Sequence, residues 1–561
     1  MTRTLVHCLQ GTLSRQHLIE QIIAHGLTYE LPNDHAIEII TDTTHLAQHD
    51  QLLAVLQDEY VIFHDHDDPR SGRGRFQTHV RINNESSSIH FETIKPTFIA
   101  PMISNVDVSA PTTQQPEHAQ DESDHNEPDH NEPDHKHHGH KHHGHKHKTH
   151  GHKHHDHDHK HKNHGHKHHD HGREQDPSIF TEVPSETYAS LPNFSTFPNS
   201  SPFPRQLIIN RATSQGNTTT TMAQYYKFPI QFGVAPTIGI ISLGGTYLTA
   251  DLTAYWKTTL GLPQIPSVSY VDVDGVKNAP NQAIKSGDGS DENTLDLEIA
   301  GGICPGAKLV IYFGPNTEKG FYDTFNYAIH DTIHKPKLIS CSWGAPEADF
   351  TPTSIMLAYD QLFASATQVI CTAAGDNGAS DGISDGHPHV DFPASSPHVV
   401  ACGGTTIVTS SESTWSWNAK YQWGTGGGIS GYFAQPSFQA GIAKYPTGSV
   451  IRRALPDVSL NADPLSGWTI YYNKQLYVNQ FGGTSCVAPA IAGMLGLFNS
   501  TYPLGFLYHA YKSNPKGFKD ITSGTNDNIA KTTGLYNAGT GYDLCTGLGS
   551  VNGTQLYLLL K

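Results

Sequence analysis

The chain has 561 residues, a length that predicts two to four structural units. Its formal charge is −17 with every His neutral, which argues against nucleic-acid binding at neutral pH. The chain also contains 39 His, and an unperturbed imidazole titrates near pH ~6.5, so the sign of the charge depends on acidity.

Residues 1–105 are predicted to form a small α/β unit. A helical pattern covers residues 14–25, an alternating strand follows at 36–41, and a second helical pattern covers 45–58. The apolar run at the start is too short for a signal peptide, and no run approaches the length of a membrane span. The standard export route and a membrane span are therefore not expected.

Residues 106–221 are predicted to be a disordered linker that contains a His-rich tract at 134–172 and a possible processing region at 176–222. The tract has almost no aliphatic residues and cannot bury enough apolar surface to fold. We favour a solvated linker whose charge responds to pH. The alternative is a site for Zn²⁺, Ni²⁺ or Cu²⁺, although nothing in the sequence fixes ligand geometry.

Residues 222–561 contain near-continuous apolar runs that end in Gly or turn residues, for example at 238–245, 308–313 and 368–375. Strands that are buried on both faces have this pattern, which predicts an α/β domain with a mainly parallel sheet flanked by helices. In such sheets, functional residues lie at the carboxyl ends of the strands. The seven scattered Cys do not indicate a disulfide scaffold.

The sequence GGTSCVAPAIAG at 482–493 predicts a Gly-rich turn that opens a helix of small residues. Ser485 then lies beside the positive end of the helix dipole, which suits a nucleophile that must also stabilise an oxyanion. The motif alone is equally consistent with an N-cap Ser on a packed helix.

A Ser nucleophile needs a base, and the segment DENTLDLEIA at 291–300 contains one candidate. It places Glu292 and Asp296 on one helical face. Two neighbouring carboxylates do not both ionise easily, so they share a proton and suit acidic conditions. Taken alone, the pair is better explained as a solvated acidic face. No His stands in a His-Gly-Thr-His context.

The motifs around Ser485, Glu292 and Asp296 decide between a catalytic and a structural role for these residues. From about residue 222 to 559 the chain resembles the sedolisins, the serine-carboxyl peptidases of family S53, and kumamolisin-like members in particular. The resemblance rests on the segments at 294–317, 342–344, 374–378, 391–397, 426–430, 456–458 and 482–489. It implies a subtilisin-like catalytic domain, and an enzyme that cleaves peptide bonds in protein or peptide substrates.

The resemblance also implies roles. Glu292 is the general base for Ser485, and Asp296 orients Glu292. Asp376 contributes to the oxyanion hole, where a carboxyl donates a hydrogen bond only when protonated. Trp343 and the glycines at 426–428 line the substrate cleft.

The family's calcium loop also has a counterpart in this chain. Its oxygen ligands correspond to five residues, which would hold one Ca²⁺: Asp520, Ile521, Gly539, Gly541 and Asp543.

Sedolisins are commonly made as zymogens, and residues 12 to about 101, within the predicted unit at 1–105, resemble their prodomain in size and pattern. The sequence thus predicts an acid-acting serine peptidase, serine-type endopeptidase or tripeptidyl peptidase, with its own prodomain as a partner. We expect a monomer that acts outside the cell or in an acidic lumen. The alternative is a catalytically silent relative that binds metal through the His-rich tract.

Overall fold

The computed structural model describes residues 2–8, 22, 28–30, 36–41, 60–64, 77–78, 81–82, 216–229, 235–281, 284, 287–409, 411–500, 502–529 and 536–561. All of these described residues belong to one compact unit. The predicted linker and its His-rich tract lie almost wholly outside the described residues, and so do the two helices predicted at 14–25 and 45–58, apart from Ile22.

The N-terminal part forms a four-stranded sheet in the order β2-β3-β1-β4, and the β1–β3, β1–β4 and β2–β3 pairs are antiparallel. Its third strand has the bounds that the alternating pattern predicts. The strands are β1 Thr2–Cys8, β2 Thr28–Glu30, β3 Ala36–Thr41 and β4 Tyr60–His64. Two short strands follow along the chain, β5 Gln77–Thr78 and β6 Arg81–Ile82.

The remaining described residues build a ten-stranded sheet in the order β21-β22-β18-β14-β12-β10-β7-β9-β8, with β15 paired to β14. Seven of the nine strand pairs are parallel, which confirms the predicted mainly parallel sheet. The strands are β7 Thr237–Ser242, β8 Ser267–Asp272, β9 Lys308–Phe313, β10 Leu338–Cys341, β12 Val369–Ala373, β14 Val400–Val408, β15 Ser411–Thr414, β18 Val458–Asn461, β21 Phe518–Lys519 and β22 Ser550–Val551.

Smaller strands lie outside this sheet and outline the candidate site. β11 pairs with β13 and β5, β16 pairs with β17, and β20 pairs with β19 and β6. Their bounds are β11 Trp343–Pro346, β13 Asp391–Phe392, β16 Gly428–Ala434, β17 Arg452–Leu455, β19 Trp468–Tyr472 and β20 Gln475–Gly482.

Eight α-helices of the described residues accompany the sheet. They are α1 Thr219–Tyr225, α2 Thr249–Thr253, α3 Ser290–Ile303, α4 Glu318–His330, α5 Ser354–Ser365, α6 Val487–Phe498, α7 Phe506–Ser513 and α8 Gly553–Leu560. A π-helical turn, Ala254–Thr259, continues α2. α1 spans residue 222, where the domain boundary is predicted. No described helix is long and apolar enough to cross a membrane.

Two of these helices, α3 and α6, are almost entirely buried. Every residue of α6 is buried, as its small and apolar sequence requires, and only Asp291 of α3 is partly accessible. α3 contains three acidic residues in its buried part, so its carboxyl groups lie in the protein interior. The six cysteines at 304, 341, 371, 402, 486 and 545 are free thiols in buried positions.

Candidate active site

Ser485 lies in a turn that joins β20 to α6. Gly483 has a φ of 101°, a conformation that favours glycine, and its N–H donates to the Ala462 carbonyl at 2.6 Å. Thr484–Cys486 form a short 3₁₀ turn, after which α6 begins at Val487. Ser485 is therefore held near the amino end of a buried helix, as the motif predicts, and its side chain is fully buried.

Glu292 and Asp296 lie in the first two turns of α3, and both are fully buried. Gly289, with a φ of 86°, precedes the helix, and a Cβ there would meet the Trp343 ring at 2.9 Å. The Ser290 N–H donates to Asp288 Oδ1 at 2.9 Å, which helps to fix the start of the helix. The predicted carboxyl pair is thus a buried pair and not a solvated face.

Electrostatics link this pair to Ser485. Burial raises the pKa of Glu292 well above its ordinary value, and the charges of Asp296 and Asp291 raise it further. The Ser485 hydroxyl lowers it, so the two groups interact, although no hydrogen bond of normal geometry joins them. Burial likewise raises the pKa of Asp296 well above its ordinary value. The pair therefore retains protons under conditions in which exposed carboxyls are ionised.

Ser342 is a further contact of this pair. It follows β10 directly, and its Oγ donates to Asp296 Oδ1 at 2.8 Å. That hydrogen bond lowers the Asp296 pKa and opposes the effect of burial. In the sequence, Ser342 is marked only by its place in the motif that contains Trp343.

Asp376 follows β12, the neighbour of β10 in the sheet, and is fully buried. Its Oδ1 accepts two hydrogen bonds of 2.8 Å, from the N–H and from the hydroxyl of Thr484. The charge of Asp376 also raises the pKa of Glu292. The residue before the nucleophile thus ties Asp376 to Ser485, a role that the sequence analysis missed.

Ser342 and Asp376 thus follow two adjacent parallel strands, while α3 supplies Glu292 and Asp296 and the turn after β20 supplies Ser485. Comparison with known proteins shows the fold and the family of this chain. Residues 279–535 match the model of the Subtilase family. The solved structure of Pseudomonas sedolisin, a serine-carboxyl proteinase complexed with two molecules of pseudo-iodotyrostatin, is 30% identical with a TM-score of 0.52. The match covers 62% of this chain and 98% of that chain.

The chain belongs to the sedolisin family. Kumamolisin of Bacillus sp. (strain MN-32) is 42% identical over 354 residues, which are 60% of this chain and 62% of that protein. Sedolisin of Pseudomonas sp. (strain 101) is 32% identical over 353 residues, 58% of each chain. The chain therefore spans about three fifths of the length of these curated relatives.

The cleft residues that the sedolisin resemblance implies lie beside the buried group. Trp343 begins β11 directly after Ser342 and is buried. The Gly426 N–H donates to the Gly375 carbonyl at 2.7 Å, and a Cβ at Gly426 would meet the Ala374 carbonyl at 1.9 Å. A side chain at Gly426 would therefore displace the strand end that leads to Asp376.

Asp391 is a further buried carboxyl, which the sequence marks only as the first residue of the motif at 391–397. Burial raises the pKa of Asp391 well above its ordinary value, and the charge of Asp376 raises it further. A Cβ at Gly344 would meet Asp391 Oδ1 at 2.1 Å, so this carboxyl packs against β11. The sedolisin site thus contains more acidic groups than its predicted triad.

The five residues of the predicted calcium loop lie near one another. The Gly541 N–H lies 3.1 and 3.0 Å from the two carboxylate oxygens of Asp520, and the Gly539 N–H donates to Asp543 Oδ2 at 3.1 Å. Ile521 follows Asp520 and is buried. Two carboxylates thus flank one segment of backbone. Carboxylate and carbonyl oxygens are the ligands that Ca²⁺ prefers, so these residues fit the ion.

Lys444 also reaches this loop, because its Nζ donates to the Thr540 carbonyl. Burial raises the pKa of Asp543. No group of three or more His, Cys, Asp or Glu side chains suited to a metal occurs among the described residues. A metal site here therefore depends on backbone carbonyls in addition to the two carboxylates.

Proposed function

We propose that this sedolisin-family chain is an acid-acting serine-carboxyl peptidase that hydrolyses peptide bonds through an acyl-enzyme on Ser485. The observation that carries the proposal is the coupling of Glu292 to its neighbours. Its pKa is raised by burial and by Asp296 and Asp376, and lowered by the Ser485 hydroxyl. A base of this kind can exchange a proton with Ser485 in acid, where an ordinary imidazole would stay protonated.

The proposed reaction begins when Ser485 Oγ attacks the peptide carbonyl carbon. The hydroxyl proton moves to Glu292, while Asp296 shares the proton of the carboxyl pair. The carbonyl oxygen becomes an oxyanion, which a protonated Asp376 and the Ser485 N–H stabilise. Because Asp376 Oδ1 already accepts two hydrogen bonds from Thr484, the proton of a neutral Asp376 belongs on Oδ2.

Collapse of the oxyanion breaks the C–N bond, and Glu292 returns its proton to the leaving nitrogen. Water then attacks the acyl-enzyme, with Glu292 again taking the proton.

The test is hydrolysis of an internally quenched peptide between pH 3 and 7 by the wild type, Ser485→Ala and Glu292→Gln. We expect both variants to lose at least about 10³-fold in kcat while remaining folded. Equal turnover by Ser485→Ala would refute the proposal.

The N-terminal strands support an endopeptidase. β5 pairs antiparallel with Trp343–Gly344, and β6 pairs antiparallel with Phe481–Gly482, three residues before Ser485. An extended chain can thus pair with both strands near the nucleophile, which supports a cleft that accepts residues on both sides of the cleaved bond. We expect cleavage inside a peptide with an acetylated N-terminus. Exclusive release of N-terminal tripeptides from unblocked peptides would contradict this proposal.

The same pairing supports synthesis as a zymogen. β5 and β6 belong to the prodomain-like part and occupy strand edges that an extended substrate would need. Removal of this part, by a cut in the predicted processing region at 176–222, would free both edges. During acid incubation we expect the wild type to be shortened before it becomes active, and Ser485→Ala to remain intact. A full-length product with full activity would contradict the zymogen proposal.

One Ca²⁺ in the 520–543 loop is a further proposal, supported by the two carboxylates that flank Gly541 and Gly539. Asp520 and Asp543 would supply side chains, and Ile521, Gly539 and Gly541 would supply carbonyls. The ion would stabilise the loop and would take no part in the chemistry.

The proposed activity at acid pH also supports an acidic lumen or the cell exterior as the place where the protein acts.

A further inference from the structure

Glu298 is a third acidic residue of α3 and lies outside the proposed catalytic group. Its side chain is fully buried. It follows Asp296 by two residues, which places it about 200° around the helix, on the side that faces away from the carboxyl pair. The proposed chemistry gives no reason for a carboxyl in this position.

The contacts of Glu298 connect α3 to the β19–β20 hairpin. Its Oε2 accepts the N–H of Tyr471 in β19 at 2.8 Å. Its Oε1 is buried and has no hydrogen-bond partner. Because a buried carboxylate with a single donor is costly, this geometry favours the neutral carboxyl.

The hairpin in turn leads to the nucleophile. β20 ends at Gly482, three residues before Ser485, and it pairs with β19 along one edge and with β6 along the other. A second carboxyl holds the turn of the hairpin, since Asp251 Oδ2 accepts the Lys474 N–H at 3.3 Å. Glu298 therefore joins the helix that carries the proposed base to the hairpin that positions the nucleophile.

The groups around Glu298 do not neutralise a negative charge. Burial raises the pKa of Glu298 well above its ordinary value, and the charge of Asp251 raises it further. The Tyr255 hydroxyl from the π-helical turn also faces this site, and its pKa is raised in part by Glu298. Lys474 acts on Asp251, while the only effect that lowers the Glu298 pKa is the Tyr471 N–H.

We propose that neutral Glu298 is a positioning residue that fixes the hairpin, and with it Ser485, on the helix that carries Glu292 and Asp296, and that loss of its proton sets the upper pH limit of the site. This inference rests on the proposed peptidase function. The hairpin needs an acceptor for the Tyr471 N–H, and a neutral carboxyl or an amide can provide it without placing an anion in the interior.

The folded protein raises the pKa of Glu298, and this direction fixes how the stability of the fold depends on pH. A carboxyl whose pKa is raised in the folded protein binds its proton more tightly there than in the unfolded chain. Its contribution to stability is present at acid pH and is lost as the pH rises above the unfolded value. Each such group changes the unfolding equilibrium by up to tenfold per pH unit. Asp251, Glu292 and Asp296 act in the same direction, so Glu298 must be isolated by substitution.

The first test uses the full chain with Ser485→Ala, which prevents self-cleavage. Thermal unfolding is measured from pH 4 to 7 with Glu or Gln at position 298. We expect the melting temperature of the Gln protein to fall less between pH 4 and 7 than that of the Glu protein. The amide oxygen still accepts the Tyr471 N–H, and the amide has no proton to lose in this range. Equal losses in the two proteins would overturn the proposed role of the Glu298 proton.

The second test measures kcat and KM in acid for Glu298→Leu and Glu298→Gln with Ser485 intact. We expect Leu to lower kcat by about tenfold to hundredfold with a smaller change in KM, and Gln to restore most of that loss. Equal kcat values in the two variants, whether high or low, would overturn the positioning role. Absence of hydrolysis by the parent would refute the peptidase function, whereas the unfolding comparison does not depend on activity.

Discussion

Ser342→Ala tests how the buried carboxyl pair is tuned. The substitution removes one hydrogen bond, from Ser342 Oγ to Asp296 Oδ1 at 2.8 Å, between two groups that have no exposed surface. Hydrogen bonds to charged groups contribute about 1.5–3 kcal/mol, and one pKa unit corresponds to about 1.4 kcal/mol. This hydrogen bond lowers the Asp296 pKa. Its loss should therefore raise the pH at which the pair of carboxyls titrates by about 1–2 units.

The expected result is a shift of the activity profile. The peptidase needs Glu292 able to accept a proton, so the rising, acid side of the plot of kcat/KM against pH should move to higher pH by about 1–2 units. At a fixed pH on that side, the rate should fall by about tenfold or more. The assay is hydrolysis of an internally quenched peptide at half-unit pH steps, with the unfolding temperature measured in parallel.

Ser340→Ala is the matched control. Ser340 lies in β10, two residues before Ser342, and its buried hydroxyl has no hydrogen-bond partner. Its removal should leave the acid side of the profile in place. A folded Ser342→Ala protein whose profile coincides with that of Ser340→Ala would refute the reasoning, because the Ser342 hydroxyl would then not control ionisation of the pair.

Three further predictions concern the oxyanion hole, a buried ion pair of the fold and the calcium loop. Asp376→Ala should lower kcat by about 10²–10³-fold, as loss of an oxyanion donor does, and a rise in KM alone would contradict that role. Asp457→Asn should destabilise the fold by about 3–5 kcal/mol in urea unfolding, because the buried Arg453 loses a carboxylate bonded at 2.6 and 2.7 Å; an unchanged midpoint would be inconsistent with this. EGTA should lower the melting temperature of the wild type and have little effect on Asp543→Ala, whereas equal responses would exclude Asp543 as a ligand.

Much of the fold could be predicted from local pattern. The apolar runs at β7, β9 and β12 predicted buried parallel strands, and the structure confirms a mainly parallel sheet. The alternating pattern at 36–41 likewise predicted β3 with its observed bounds. β1 was not predicted, because the first residues show only a short apolar run and the residues that pair with them lie 29 or more positions away.

The supporting residues of the site were harder to predict. Ser342 bonds to a residue 46 positions away, and Thr484 bonds to one 108 positions away. Neither residue type indicates such a role by itself, since buried Ser and Thr hydroxyls are common in proteins. The pairing of β5 and β6 with β11 and β20 also joins distant segments, and sequence pattern gives no register for such short strands.

Sequence alone therefore identified the chemical groups of the candidate site, because Ser485, Glu292, Asp296 and Asp376 each stand in a motif whose local pattern can be recognised. Only the tertiary structure decided their environment. Burial of Glu292, Asp296 and Glu298 in α3 brings these carboxyls into a medium that disfavours charge. Whether Asp296 gains a hydrogen-bond donor or Glu298 keeps a proton depends on contacts made across the fold. The affinity of a carboxyl for its proton is set by these surroundings and not by its place in the chain.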